Sequence, residues 1–367
     1  MAKTRGEGGR AKAEGAGRRF PAPREAVNRL NAYDPGHYKV EINLSANENP
    51  YDLPADLKAR ITAAALDIPF NRYPDPLALD LRAAIARGYG LKTANVAIGN
   101  GGDELLLALL LAYGGPGRTA VTFEPTFVMY AILSELTGTA CLKRARDTEF
   151  ALPQGTGAAA GDIVFICSPN NPTGNLVAEE EVVGFLDSGA LVVVDEAYGE
   201  FSDRSALGLL GDYPNLVVLK TFSKAFSLAG LRVGFVLGAP EIIANILKVK
   251  LPYNVNALSQ AAATLIIENK RRFEAAIDEI RAERQRLTEA VGRIDGLTTY
   301  PSAANFVLVK SAAPAADLWR NLLERGILVR YFERTPGLAD CLRLTIGTPA
   351  ENDAVIGALK ELSASEE

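Results

Sequence analysis

The stretch Lys220-Thr-Phe-Ser-Lys224-Ala-Phe-Ser-Leu-Ala-Gly-Leu-Arg232 governs how the rest of this chain is read. It sets Lys224 among small and apolar neighbours, with hydroxyls at Thr221 and Ser223 before it and Arg232 eight positions on. A lysine in such company loses hydration, so its neutral amine is easier to populate and can bond to an aldehyde. The guanidinium of Arg232 and the two hydroxyls can together hold a phosphate, the guanidinium as a bidentate charged donor. One small ligand bearing both an aldehyde and a phosphate satisfies both halves of the stretch. A snorkelling lysine beside a surface arginine satisfies it too, so the flanking sequence has to decide.

Outward from that stretch, residues 163–166, 191–194, 216–219 and 233–237 are continuous apolar runs. Continuous rather than alternating runs mark strands buried on both faces, as in a mostly parallel sheet between helices. Residues 77–87, 103–112 and 125–136 read as helices, set around short strands at 96–98 and 119–122. The alternation predicts an α/β, three-layer large domain over residues 48–255. Phe273, Ile277, Ile280, Leu287, Val291 and Ile294 form the apolar stripe of one long helix, ended at Gly296. A strand–helix–strand–strand–helix series follows within residues 305–362, which predicts a smaller α+β C-terminal domain over residues 256–367. Residues 1–19 read as a disordered basic tail and residues 20–47 as an N-terminal arm.

A length of 367 residues suits two domains, and 48% hydrophobic with 23% charged residues suits a soluble globular protein. No apolar run approaches the roughly 20 residues of a membrane span. The first 19 residues carry six basic and two acidic side chains and lack the apolar core of a secretory signal. With a whole-chain charge of −5, the remainder is more acidic still, which argues against nucleic-acid binding. Cys141, Cys167 and Cys341 make no CxxC pair, a pattern that fits a reducing cytoplasm without a disulfide framework. His37 is the only histidine, which sets aside most zinc sites; no metal is expected.

The polar candidates follow predicted strands, at the edge where open α/β sheets bind ligands. After 96–98 comes Gly99-Asn-Gly-Gly-Asp103-Glu, small residues opening a helix; this is either an anion cradle or an ordinary helix start. It lacks the Gly-x-Gly-x-x-Gly spacing of a nicotinamide dehydrogenase. After 163–166 comes Cys167-Ser-Pro-Asn-Asn171-Pro-Thr-Gly174, a rigid turn from which the Asn171 amide can reach a phenolate oxygen. After 191–194 comes Asp195-Glu-Ala-Tyr198. A carboxylate ending a buried strand is costly unless paired, and its candidate partners are a pyridinium nitrogen, a magnesium ion or a helix cap. The nearby lysine makes the pyridinium the best of these. Aldehyde, phosphate, phenolate and pyridinium together describe pyridoxal 5'-phosphate (PLP).

These pieces, with Ala-Gly-Leu-Arg232, resemble the fold-type I PLP-dependent aminotransferases of class I and II, and within them the histidinol-phosphate branch. The match runs in order over about residues 30–347. It includes Leu44-Ser-Ala-Asn47-Glu-Asn-Pro50, Asn71-Arg-Tyr73-Pro-Asp, Pro125-Thr-Phe127-Val-Met-Tyr130 and Cys341-Leu-Arg343-Leu-Thr. The resemblance implies a PLP-transferase large domain and transamination between a small-molecule amino donor and a keto-acid acceptor. Histidinol phosphate and 2-oxoglutarate are the implied pair. It implies that Lys224 holds PLP covalently and moves the reaction proton, that Asp195 pairs with the ring nitrogen, and that Asn171 and Tyr198 reach the ring oxygen. Gly102, Asp103, Ser223 and Arg232 are implied for the phosphate, beside the Thr221 hydroxyl read from the stretch itself, and Phe127 for stacking, where many relatives have tyrosine. Tyr73 is implied to reach the phosphate of a neighbouring subunit, hence a homodimer, while Arg330, Arg343 and Tyr33 bind the substrate. An aromatic-amino-acid aminotransferase and a threonine-phosphate decarboxylase remain alternatives.

Overall fold

The apolar runs do become neighbouring strands. The computed structural model describes residues 21–30, 38–155 and 157–364. In chain order its strands are β1 (Ile42–Leu44), β2 (Val96–Gly99), β3 (Thr119–Glu124), β4 (Ala140–Ala145), β5 (Ile163–Cys167), β6 (Leu191–Asp195), β7 (Leu216–Thr221), β8 (Gly234–Gly238), β9 (Leu297–Thr299), β10 (Phe306–Ser311), β11 (Ile327–Tyr331) and β12 (Cys341–Thr345). Seven of them form a sheet in the order β2-β8-β7-β6-β5-β3-β4, and five form a second in the order β1-β11-β12-β10-β9. The large sheet is parallel from β4 through β7, and β8 runs antiparallel to both its neighbours. That reversal positions the site. The residues preceding β8 reach the same sheet edge as those following β2, β5, β6 and β7.

Successive residues of a strand point to opposite faces, so a strand covered on both sides feeds two cores. Val164, Val192, Val194 and Val218 join one apolar core, while Ile163, Phe165, Val193 and Val217 join the other. Helix Leu79–Gly88 gives Leu81 and Ile85 to the first, with Ile266 from helix Ala257–Glu268. Helix Gly102–Tyr113 gives Leu105 and Leu109 to the second, with Tyr130 and Leu133 from helix Met129–Thr137. Each buried aliphatic side chain contributes about 1.5–3 kcal/mol, which is why no polar residue interrupts these runs. Helix, sheet and helix are the expected three layers. The edge strand β4 carries no clear mark in the sequence because it is half-exposed, with Lys143 in solvent. A charge there discourages a further strand from adding.

The long stripe is buried, but only Ile277, Ile280, Leu287 and Val291 lie on helix Glu274–Val291; Phe273 belongs to the 3₁₀ turn Lys270–Phe273 and Ile294 follows the helix. The helix stops at Val291, before the expected break at Gly296. The helix expected from residue 125 begins at Met129, because residues 125–128 are drawn into the site as loop. Helices Glu179–Asp187, Pro240–Val249 and Ala257–Glu268 go beyond those that the periodicity marks. The second sheet is α+β, with helices Ala315–Glu324 and Pro349–Ala364, and takes its parallel edge strand β1 from residues 42–44. Residues 35–367 form one compact unit holding both sheets. A separate unit ends at Asp34, and in it residues Glu25–Asn28 form a single helical turn with Arg29 paired to Glu25.

Candidate active site

Gly102, Asp103, Phe127, Asn171, Asp195, Tyr198, Thr221, Ser223, Lys224 and Arg232 line one cavity of about 340 Å³ at the carboxyl edge of the large sheet. A wider cleft of about 470 Å³, lined by Glu179, Glu180, Asp203 and Arg204, offers no amine, so chemistry rather than size selects the site.

At one end the donors suit a phosphate. Thr221 ends β7 and donates from Oγ1 to Ser223 Oγ at 3.0 Å, and Arg232 Nη1 donates to the same Oγ at 3.3 Å. Arg232 Nη2 also pairs with Asp103 Oδ2 at 3.3 Å. Gly101 has φ +83°, and a Cβ there would sit 2.6 Å from Arg232 Nη2. Only glycine lets the guanidinium lie over the start of helix Gly102–Tyr113, whose first turn has no side-chain cap. Its unpaired N–H groups and positive dipole end complete an anion cradle. The cradle reading of Gly99-Asn-Gly-Gly therefore has its geometry.

At the other end lies a carboxylate short of positive charge. Asp195, only 4% exposed, accepts from Tyr130 Oη at 2.7 Å and from the Ala197 N–H at 3.0 Å. Burial pushes its pKa up to about 6, and neither donor carries a charge. Such a group has capacity for a cationic partner such as a ring nitrogen. Phe127 lines the same cavity. Tyr198 accepts from Asn47 Nδ2 at 3.0 Å, and burial pushes its phenol up to about 12, so it stays a protonated donor. Asn171 accepts a hydrogen bond from Arg343 through its carbonyl oxygen, leaving its amide nitrogen as the donor. The donors suit the phosphate and ring oxygen of PLP, and the Asp195 carboxylate is the acceptor its ring nitrogen needs.

Lys224 lies between these ends. Its Nζ donates to the Ala46 carbonyl at 2.9 Å and stands 5.8 Å from the centre of the Tyr198 ring. Burial, then the charge of Arg343, lowers its pKa to about 8, so a neutral fraction exists near physiological pH.

The remaining predicted residues are placed differently. Arg343 is absent from the cavity lining but bonds the lining residue Asn171, and it donates from Nη2 to the Ser45 carbonyl at 2.6 Å with its guanidinium 5.2 Å from the centre of the Phe306 ring. Arg330 does not line the cavity but stands directly opposite Arg343 across β11 and β12, so both side chains share one face. Tyr73 is absent from the lining; it is 80% exposed and stacked on Tyr253 at 4.5 Å. Tyr33 lies outside the described residues. Two residues to which the sequence gives no role bond residues of the cavity wall. Asn47 bonds Tyr198 and Thr345. Tyr130 bonds Asp195, and its one signal is its place three residues after Phe127, the same side of a helical turn.

The model of the family "aminotransferase class I and II" matches residues 39–359. Histidinol-phosphate aminotransferase 1 of Carboxydothermus hydrogenoformans is 42% identical over 344 residues, 92% of this chain and 98% of that protein. Histidinol-phosphate aminotransferase of Thermococcus kodakarensis is 43% identical over 342 residues, 91% and 97% of the two chains. The crystal structure of histidinol-phosphate aminotransferase from Sinorhizobium meliloti, in complex with pyridoxal-5'-phosphate, has a TM-score of 0.85 and 27% identity, covering 95% and 99% of the two chains. Cavity and likenesses agree: this chain belongs to the class I and II aminotransferases, and its cofactor is PLP.

Proposed function

We propose that this aminotransferase moves the amino group of histidinol phosphate to 2-oxoglutarate, giving imidazole-acetol phosphate and glutamate in histidine biosynthesis. The observation that carries the substrate class is the arginine pair. Two guanidinium groups directly opposite on one sheet face repel each other unless an anion lies between or above them. A phosphate and a carboxylate are both suited to guanidinium forks, so the same pair serves donor and acceptor. The names of the two relatives at 42% and 43% identity support the same choice.

When bound, PLP supplies an aldehyde for the substrate nitrogen and a ring that accepts electron density from the substrate's α-carbon. In this reading Lys224 Nζ takes a proton from the substrate α-carbon and would deliver it to the carbon that carried the cofactor's aldehyde, a task its lowered pKa suits. Asp195 keeps the ring nitrogen protonated, and Asn171 and Tyr198 hold the ring oxygen. Gly102, Asp103, Thr221, Ser223 and Arg232 hold the phosphate, and Phe127 covers the ring. Arg343, Arg330 and Tyr33 bind the substrate anion.

The working unit is a homodimer in which Tyr73 serves the neighbouring cavity. Leu66, Phe70 and Tyr73 are each at least 80% exposed, an apolar stretch that a second copy would cover. Residues 48–255 act as the PLP-binding domain and residues 256–367 as the smaller domain that carries both arginines, with residues 20–47 as the arm and residues 1–19 as a tail. The setting is the cytoplasm. No helix among the described residues is long and apolar enough to cross a membrane, and the three cysteines are unpaired. Steady-state assays with histidinol phosphate, phenylalanine and threonine phosphate, each with 2-oxoglutarate, test the substrate. The highest kcat/KM is expected with histidinol phosphate. A preference for phenylalanine, or carbon dioxide release from threonine phosphate, would falsify this choice.

A further inference from the structure

Tyr130 is fully buried and bonded to a reacting-site carboxylate, yet none of the roles above uses it. Its ring has little freedom. It stacks on Phe165 with centroids 5.1 Å apart and planes 4° from parallel, and it meets Phe127 edge-on at 5.6 Å. Its backbone carbonyl accepts from Ser134 Oγ at 2.6 Å. The hydroxyl is thereby aimed at Asp195 Oδ2, 2.7 Å away. Burial holds the phenol far above its usual range, so it remains a donor.

The other groups facing Asp195 do not favour its charge as this hydroxyl does. The Cys167 thiol at the end of β5 is pushed up to about 12 by burial and stays neutral. Asp103, at the helix start, and Glu196, next in the chain, both disfavour a further negative charge. The Tyr198 phenol is buried nearby and protonated. The cations Lys224 and Arg232 line the same cavity, but their hydrogen bonds go to Ala46, Ser223 and Asp103; the other donor to Asp195 is the Ala197 N–H at 3.0 Å, which the backbone supplies whatever the side chains are.

We propose that Tyr130 is a positioning residue whose hydroxyl keeps the Asp195 carboxylate ionised and aimed into the cavity, and so sets the lower pH limit at which the cofactor is held. This rests on the reading that Asp195 faces the ring nitrogen, because only an ionised carboxylate can pair with a protonated ring. A hydrogen bond to a charged acceptor is strong enough that losing it moves a carboxyl midpoint by about one to two pH units.

The test is PLP binding to the apoprotein, with Kd followed by absorbance from pH 5 to 9 for wild type, Y130F and D195N. Wild type is expected to lose affinity below a midpoint near the Asp195 titration. Y130F, which keeps the ring and its stack, should move that midpoint up by about one to two units, with Kd at pH 8.5 within about threefold of wild type. D195N should bind weakly at every pH and show no such midpoint. A Y130F curve with the wild-type midpoint, or one weakened equally at every pH, overturns the role of Tyr130. D195N binding with the wild-type Kd and midpoint instead overturns the pairing of Asp195 with the ring. If Y130F does not fold, 3-fluorotyrosine placed at position 130 supplies a stronger donor of nearly the same shape. Its midpoint should fall, and an unmoved midpoint overturns the proposal.

Discussion

Asp195 and Glu196 are adjacent carboxylates at the end of one strand, and they live in opposite circumstances. Asp195 turns to the cavity side, where two neutral donors leave its charge uncompensated. Glu196 turns to the other face and is saturated. It accepts from Ser205 Oγ and the Ala206 N–H and pairs with Lys220 Nζ at 3.1 Å. Lys220 in turn meets Glu200 at 2.8 Å. Asp195 is the last residue of β6 and Glu196 the first beyond it, still bonded through its N–H to the Leu219 carbonyl, so the strand's alternation carries one residue past its end and turns the two side chains apart. A saturated buried ion serves the fold, whereas an under-compensated one stores capacity for a partner. A buried acid is read by what surrounds it.

That contrast predicts which mutations cost activity and which cost stability. The largest effect should be on kcat in D195N, a loss on the order of 10³-fold, as expected when a preorganised charge is removed; a loss under tenfold would place Asp195 with the structural acids. Next, K220M strands two buried carboxylates without their cation and should destabilise the fold by about 3–5 kcal/mol, read from urea unfolding. An unchanged midpoint would show that the reverse face is wetter than its burial implies. The smallest effect concerns the apoprotein. The folded pKa of Asp195 is above the unfolded value of 3.8, at about 6, so the folded state binds the extra proton between them. Stability is therefore lost as pH rises from about 4 to about 6. D195N lacks that loss and should be more stable than wild type above pH 6 by about 3 kcal/mol, with no gain below pH 4. Thermal unfolding of the two apoproteins across this range checks the sign.

Much of this molecule is legible in its amino-acid sequence. Residues 163–166, 191–194 and 216–219 announce buried strands because both their faces are covered, and Lys224, Asn171 and Asp195 stand out because each follows such a run. The half-exposed strand β4 leaves no comparable mark, and neither does the edge strand β1, only three residues long. Tyr130 is visible only as an aromatic in a motif, since sequence spacing does not say which hydroxyl meets which carboxylate 65 positions later. Arg330 and Arg343 are both implied for the substrate, but their register opposite one another comes from the pairing of β11 and β12.

The order of residues was enough to establish strand runs, the lysine with its phosphate donors, and the acid at a strand end, because burial, chain reversal and covalent spacing act locally. Long-range pairing settled the rest. The reversed direction of β8 brought Arg232 to the cavity edge, and the alternation of β6 sent Asp195 to the cavity and Glu196 away from it. Packing of helix Met129–Thr137 against β3 and β4, with Tyr130 stacked on Phe165 of β5, then aimed one phenol at one carboxylate. Such contacts depend on the relative placement of segments far apart in the chain, which burial and hydrogen bonding fix only when the whole core closes.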